Sequence, residues 1–374
     1  MKIVNFVGTR PEIIKVQAVM KEIQKRGHEL NFIHTGQHYD HNMSDIFIKG
    51  LDLTRPDYFL NVKSGSQGIQ TGRIIARSEN ILKNVKPDLV IVTGDTNSGL
   101  GAAIASSKLG FKVAHVEAGC RSFDKLMPEE INRTLISHVA DLHFAPTDNC
   151  KKNLLREGIS PSHIFLTGHP LVDLIDQMRS QILTPKESIP DAYSEFGLKS
   201  KKEFYALATL HRRENVTDAG RLKSILIAFD RLSQKIPVIF PCHPHTRRQI
   251  TRFALRRYIR NLKVIEPVGY LQSLSLIKHA RFVMTDSGGI QQEAALLHTP
   301  CITLRGVTEW IETVNAGVNF LTGYDLKRII STVDDLERDY DYIASKTNST
   351  RSLFGRPGAS ARITQIIEKK CSIL

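Results

Sequence analysis

Cysteine is scarce in this chain, 5 in 374 residues, and the five (Cys120, Cys150, Cys242, Cys301, Cys371) form no CxxC pair. That excludes a disulfide scaffold and a thiolate zinc centre as organising features and points to a reducing, cytoplasmic setting. HExxH and an Asp-rich cage are also missing, so no essential metal is expected. Neither GxGxxG nor GxxxxGK[ST] occurs, which removes the main support for a conventional dinucleotide fold or a P-loop ATPase. No apolar run nears the ~20 residues that cross a bilayer, so no membrane partner is expected. The opening MKIVNFVGTRPE, interrupted by Arg10, Pro11 and Glu12, reads as a first buried strand and not as a signal segment.

What is present is a basic excess: 51 Lys+Arg against 38 Asp+Glu, a formal charge of +13. Charge of this sign suits nucleic acid, an anionic membrane surface or a small polyanionic substrate such as a nucleotide, and cannot choose among them. Arg248, Arg252 and Arg256 are spaced to share one helical face. No interleaved aromatic platform accompanies them, so that face is read as solvated and nucleic acid ranks last among the partners. Hydrophobic residues at 41% and charged ones at 24% are ordinary for a globular protein, and the length suits about two domains.

Short β-branched runs alternate with amphipathic ones. KIVNFVG, EIIKVQAVMKEIQKRG and LNFIHTG are followed by DLVIVTGD, GLGAAIASSKLG and KVAHVEAG, the signature of parallel βαβ units. The pattern pauses around Thr167–Asp173 and in the polar stretch 185–200. It restarts with EFYALATLH, PVIFPCH, LKVIEP, ARFVMTDSGG and PCITLR. The fold class expected is therefore α/β, two doubly wound Rossmann-like domains that face across a cleft. The expected domains are 1–170 and 171–357.

In such sheets function gathers just after the strands. Those positions here are GTRPEIIK (8–15), TGQHYD (35–40), GDTNSG (94–99), HVEAGCRSFD (115–124), LHRREN (210–215), PCHPHTRR (241–248) and TDSGGIQQE (285–293). The last is the most interpretable. Ser287, Gly288 and Gly289 make a tight turn into a helix whose unsatisfied N–H groups favour a phosphate, and Glu293 can accept from ribose hydroxyls. Arg10 and Lys15 add positive charge after the first strand, with Pro11 suited to the start of a helix. Asp95, Glu117, Glu129 and Glu130, with His211 and His243, are acid–base groups in strand-end loops. Each taken singly reads equally well as a helix cap or a paired ion, and His115, inside a strand, as a core histidine.

The ordered set GTRPEIIK, TGQHYD, GDTNSG, HVEAGCRSFD, MPEEINR, LHRREN and TDSGGIQQEAALLHTPCITLR, closed by FGRPGASARI (354–363), resembles the non-hydrolysing UDP-N-acetylglucosamine 2-epimerases over essentially the whole chain. The resemblance implies the glycosyltransferase-B architecture, with the last helix, 358–374, packing back on the first domain, UDP in the cleft, a cytoplasmic homodimer and no external cofactor. It implies reversible conversion to UDP-N-acetylmannosamine for surface polysaccharide precursors. The C2 proton is removed with anti elimination of UDP to a 2-acetamidoglucal, and UDP then re-adds at C1 as a proton returns to the other face of C2. Carried over by position, Asp95, Glu117 and Glu129 match the acid–base carboxylates and His211 the active-site histidine. Arg10 and Lys15 match basic residues near nucleotide and sugar, and His243, Ser287, Gly288, Gly289 and Glu293 match UDP-binding positions.

There are departures from the family's pattern. RGVTEWIE (305–312) stands where the common epimerases read RDTTERPE, so Trp310 replaces an arginine on the nucleotide side. That resembles the branch acting on UDP-2,3-diacetamido-2,3-dideoxyglucuronic acid, which is one alternative; a sugar-nucleotide-binding regulator or a glycosyltransferase on the same fold is another. TGHP (167–170) replaces the usual TGNT, and KSGSQG (63–68) lacks the PGQ run found near an allosteric UDP-GlcNAc site in bacterial relatives.

Overall fold

The computed structural model describes residues 1–37, 55–183 and 204–371. His38–Asp40 of the TGQHYD run, the whole polar stretch 185–200 and the last three residues of the expected C-terminal helix lie outside them. The chain forms two compact units, Met1–Gln177 with Phe354–Leu374, and Met178–Leu353.

Among the described residues the first unit holds a sheet of seven parallel strands in the order β3-β2-β1-β4-β5-β6-β7. They are β1 (Lys2–Val7), β2 (Glu29–His34), β3 (Tyr58–Phe59), β4 (Leu89–Thr93), β5 (Lys112–Val116), β6 (Leu142–Ala145) and β7 (Ile164–Leu166). The central strands β1, from Ile3 onward, and β4, along its whole length, are buried, which is why they read as apolar runs rich in Val and Ile. Pairing continues just past the strand ends. The Gly94 N–H donates to Val116 O at 3.0 Å and the Ala118 N–H to Phe144 O at 3.1 Å, fixing the backbone on either side of Asp95 and Glu117.

The last helix, Ala359–Cys371, packs on the first helix, Arg10–Lys25, and on helix Pro170–Gln177. Arg26 and His28 both meet Glu368, at 3.0 and 2.9 Å. The boundary expected at 170/171 would have placed helix Pro170–Gln177 in the second domain. Its apolar face instead packs on the first helix, so the division falls after Gln177.

In the second unit, among the described residues, six parallel strands follow the order β10-β9-β8-β11-β12-β13. These are β8 (Ala206–Thr209), β9 (Val238–Pro241), β10 (Lys263–Ile265), β11 (Phe282–Thr285), β12 (Cys301–Thr303) and β13 (Asn319–Leu321). Phe229 and Phe240, with ring centroids 5.9 Å apart, anchor the core between helix Ala219–Ser233 and the sheet. The single arginine face does not form: helix Pro244–Arg252 stops at Phe253, Ala254 turns left-handed at φ 54°, and Arg256 begins a separate 3-10 turn. Those arginines are exposed.

Candidate active site

In the first unit the turns after β1, β4 and β5 bring ionisable groups together. Lys15, one turn into the helix that begins at Arg10, reaches the Glu117 carboxylate at 2.8 Å to Oε1 and 2.7 Å to Oε2. Burial alone would raise the Glu117 carboxyl, yet the Lys15 ammonium and His169 outweigh it and hold it well below the ordinary carboxylate range. Burial would likewise lower Lys15, but Glu117 and then Asp95 keep it above its usual value. Glu117 itself sits in the left-handed region, φ 67°, a conformation that costs a non-glycine residue of order 1–3 kcal/mol and is held by its surroundings. Two residues on, Gly119 is required by contact, since a Cβ there would lie 2.2 Å from Cys150 O.

Asp95 is paired with Arg133 from helix Pro128–Val139, and its carbonyl accepts from Asn132 Nδ2 at 3.0 Å. His115 binds the Gly94 carbonyl at 2.8 Å through Nε2. Burial pushes its pKa down to about 3, so it is the neutral imidazole that donates and pins the Gly94 turn. Glu129 and Glu130 stand in the first turn of helix Pro128–Val139 and not in a loop. Glu130 is buried and committed, accepting from the Ser122 amide and hydroxyl at 2.9 Å each and from the Phe123 amide at 3.1 Å. Glu129, beside it, is half-buried, as is Arg10 at the start of the first helix.

Two neighbours of these groups escaped the sequence reading. Glu12 is buried and accepts from the Gly8 amide and the Thr9 amide at 2.8 Å, the Thr9 hydroxyl at 3.0 Å and the Thr96 hydroxyl at 2.6 Å, joining the β1 and β4 turns. Burial pushes its carboxyl up to about 7 against those donors. The capping spacing Thr9–Glu12 was its available signal. His169 Nε2 lies 3.1 Å from Glu117 Oε2. It appeared in the sequence only as a departure in TGHP.

In the second unit the His211 ring, half-exposed, contacts Asp286 through Nδ1 at 3.3 Å. Asp286 is fully buried and also accepts from the amides of His211 and Arg212 and from Asn215 Nδ2. Burial would raise its carboxyl, but the charge and hydrogen bond of His211 keep it lowered. Nothing but its place in the TDSGG run marked it. His243 caps helix Pro244–Arg252, accepting the His245 amide at 3.2 Å, and its ring centroid lies 6.4 Å from that of His211. Both rings border a cavity of about 160 Å³ whose walls include Leu207, Pro241, Val268 and Leu276.

Ser287 caps helix Gly288–Leu296, accepting from Ile290 N. A Cβ on Gly288 would lie 2.1 Å from Glu309 Oε1 and 3.6 Å from Trp310 Nε1. Arg305 pairs with Glu309 at 2.9 Å, both buried. Trp310 is 1% exposed, so it packs beneath the glycine turn, where an arginine was expected to face the nucleotide. A Cβ on Gly289 would meet only Ser287 Oγ, at 3.8 Å. Glu293, buried, lies beside the Tyr270 hydroxyl; burial, with Glu293 adding, pushes that phenol well above its ordinary value. The structure thus gathers Lys15, Asp95 and Glu117 in one unit and His211 with His243, and Ser287 to Glu293, in the other.

A family model described as UDP-N-acetylglucosamine 2-epimerase matches residues 21–368. The UDP-N-acetylglucosamine 2-epimerase of Methanococcus maripaludis is 44% identical over 90% of this chain and 91% of its own. The UDP-2,3-diacetamido-2,3-dideoxy-D-glucuronate 2-epimerase of Pseudomonas aeruginosa is 40% identical over 99% of this chain and all of its own, 100%. Among solved structures, the Methanocaldococcus jannaschii UDP-GlcNAc 2-epimerase in complex with UDP-GlcNAc and UDP superposes with a TM-score of 0.88 at 41% identity, covering 99% of this chain and 100% of that one. With a family model spanning nearly its whole length and relatives this similar, the chain belongs to the UDP-N-acetylglucosamine 2-epimerase family.

Proposed function

We propose that the protein interconverts UDP-N-acetylglucosamine and UDP-N-acetylmannosamine by eliminating and re-adding UDP. The observation that carries this reading is the cluster of partly buried Lys15 with buried Glu117 and His169, beside the Asp95–Arg133 pair, at the ends of adjacent strands. Removing a proton from C2 needs an ionised acceptor that stays ionised out of water, and Lys15 supports Glu117 in that state. The C2–H electrons become the C1=C2 bond, the C1–O bond breaks toward UDP, and the proton rests on a carboxylate. In the return step a proton reaches the opposite face of C2 while a UDP oxygen attacks C1. Asp95 and Glu129 are the further carboxylates of this scheme, and Arg10 and Lys15 its cations, Lys15 feeling the Asp95 charge.

The second unit binds the nucleotide in this reading. The start of helix Gly288–Leu296 offers partial positive charge to a diphosphate, and the room over Gly289 admits it. The cavity beside His211 and His243 takes the base, and Glu293 accepts from ribose. A cytoplasmic homodimer that needs no external cofactor belongs to the same proposal, and light scattering that returned a single-chain mass would remove the dimer. The test of the reaction is incubation with UDP-GlcNAc in heavy water: deuterium at C2 and a second sugar nucleotide are expected by NMR, and neither appearing rejects it.

The similarity to the Pseudomonas aeruginosa enzyme supports a second reading, the same chemistry on a diacetamido-uronate. Trp310 lends it nothing, because the indole is buried against the glycine turn. Offering both sugars in the same heavy-water assay decides between them.

A further inference from the structure

Glu117 has two chemically alike oxygens, and Lys15 does not distinguish them, lying 2.8 Å from Oε1 and 2.7 Å from Oε2. His169 does. Its Nδ1 accepts the Leu171 N–H at 3.0 Å, which leaves the proton of the neutral ring on Nε2, and Nε2 stands 3.1 Å from Oε2. The imidazole is 0% exposed. Its own amide donates to Phe354 O at 2.8 Å, and the Phe354 ring meets it nearly edge-on at 6.4 Å. The turn before it needs glycine, since Gly168 has φ 77° and a Cβ there would lie 3.1 Å from Phe354 O. Asp173, just beyond, accepts from Gly358 N at 2.6 Å and Ser360 N at 2.7 Å, locking the same segment to the start of the last helix.

We propose that His169 is a positioning residue of this enzyme: by engaging Glu117 Oε2 from a ring fixed on its other nitrogen, it turns Oε1 toward the sugar as the oxygen that exchanges the C2 proton. Nothing in the family resemblance assigns this role, and the usual TGNT places an asparagine here, whose amide nitrogen stops where the histidine Nδ1 stands. The inference rests on the epimerase reading. Among the described residues, the charged and titratable groups that act on Glu117 are Lys15 from the first helix, His169 from its loop, His115 from β5 and Cys120 just after Gly119, with Asp95 acting through Lys15. Losing one donor raises the Glu117 carboxyl, so its ionised form disappears at a higher pH.

A pair of variants separates positioning from packing. His169→Asn keeps an acceptor for Leu171 and loses the reach to Glu117, whereas His169→Gln places an amide N–H near the lost Nε2. For His169→Asn, kcat is expected to fall about tenfold to a hundredfold with KM for the UDP-sugar within about twofold. Its acid limb is expected to move up by about one unit, and His169→Gln should recover most of the rate. A raised KM with unchanged kcat, an unmoved acid limb, or equal impairment of both variants would overturn the role. Substrate-free 13C titration of the Glu117 carboxyl, assigned with Glu117→Gln, reads the same contact: an unchanged pKa in His169→Asn overturns it even where the wild type is active. A wild type inactive on every UDP-sugar would instead sink the reaction reading, and this inference with it.

Discussion

The two units have the same strand arrangement at their centres and use the starts of their helices in opposite ways. After β1, the chain's own Glu12 occupies the start of the first helix, accepting the amides of Gly8 and Thr9. After β11, Ser287 caps only Ile290, and the turn is built from Gly288 and Gly289. A helix start filled by a carboxylate cannot receive a phosphate, while one bordered by glycines can. The first unit thus turns inward: Asp95, Glu117 and Glu130 are all engaged by cations or donors of the same unit. In the second, His211 and His243 stand at the rim of an open cavity. In the proposed reading one topology thus yields a proton-handling half and an anion-holding half, set by a handful of residues after the strands.

The sharpest way to break that division is Glu117→Gln. Losing a positioned acid–base group costs about a hundredfold to ten-thousandfold in turnover. UDP affinity, measured by calorimetry, should stay within a few-fold. A collapse of UDP binding would mean that the first unit also holds the nucleotide, and the contrast would fail.

The reciprocal change is Gly289→Val. Because a Cβ at Gly289 would meet nothing in the protein closer than Ser287 Oγ at 3.8 Å, little loss of folding stability is expected, and Tm checks it. The branched group would fill the space assigned to the diphosphate, so Kd for UDP should rise about tenfold or more, about 1.4 kcal/mol. Unchanged UDP affinity with an unchanged Tm would remove the phosphate role from this turn. Gly288 is unsuitable for the same test, because a Cβ there strikes the buried Glu309.

Much of this was legible in the sequence for a physical reason: strands buried on both faces must be apolar runs, and the polar residues directly after them have no structural need to cluster. DLVIVTGD and KVAHVEAG announced Asp95 and Glu117 in that way. His169 was not legible, because its meaning lies in Glu117, 52 positions away, and in Phe354, both reached only after folding. Asp286 likewise declares itself only through the His211 loop it holds, 75 positions earlier. The arginine face was misread because nothing in ITRFALRRY forbids a continuous helix; the left-handed Ala254 that ends it is a residue of high helix propensity.

The smallest expected effect concerns those arginines, and it sharpens which cations the site uses. Of a net charge of +13, the proposed chemistry employs chiefly Arg10 and Lys15. Arg248, Arg252 and Arg256 are exposed, on a helix and a separate turn, and exposed charges away from a built site shift stability within about 0.5 kcal/mol. Replacing all three by glutamine should leave kcat, KM and Tm near wild-type values. Long-range attraction of an anionic sugar nucleotide is a different matter, because it is screened beyond about 8 Å at physiological salt. If the patch steers substrate, the triple variant will lower kcat/KM at low ionic strength and the difference will vanish as salt is added. An equal kcat/KM at both ionic strengths confines substrate recognition to the strand-end loops.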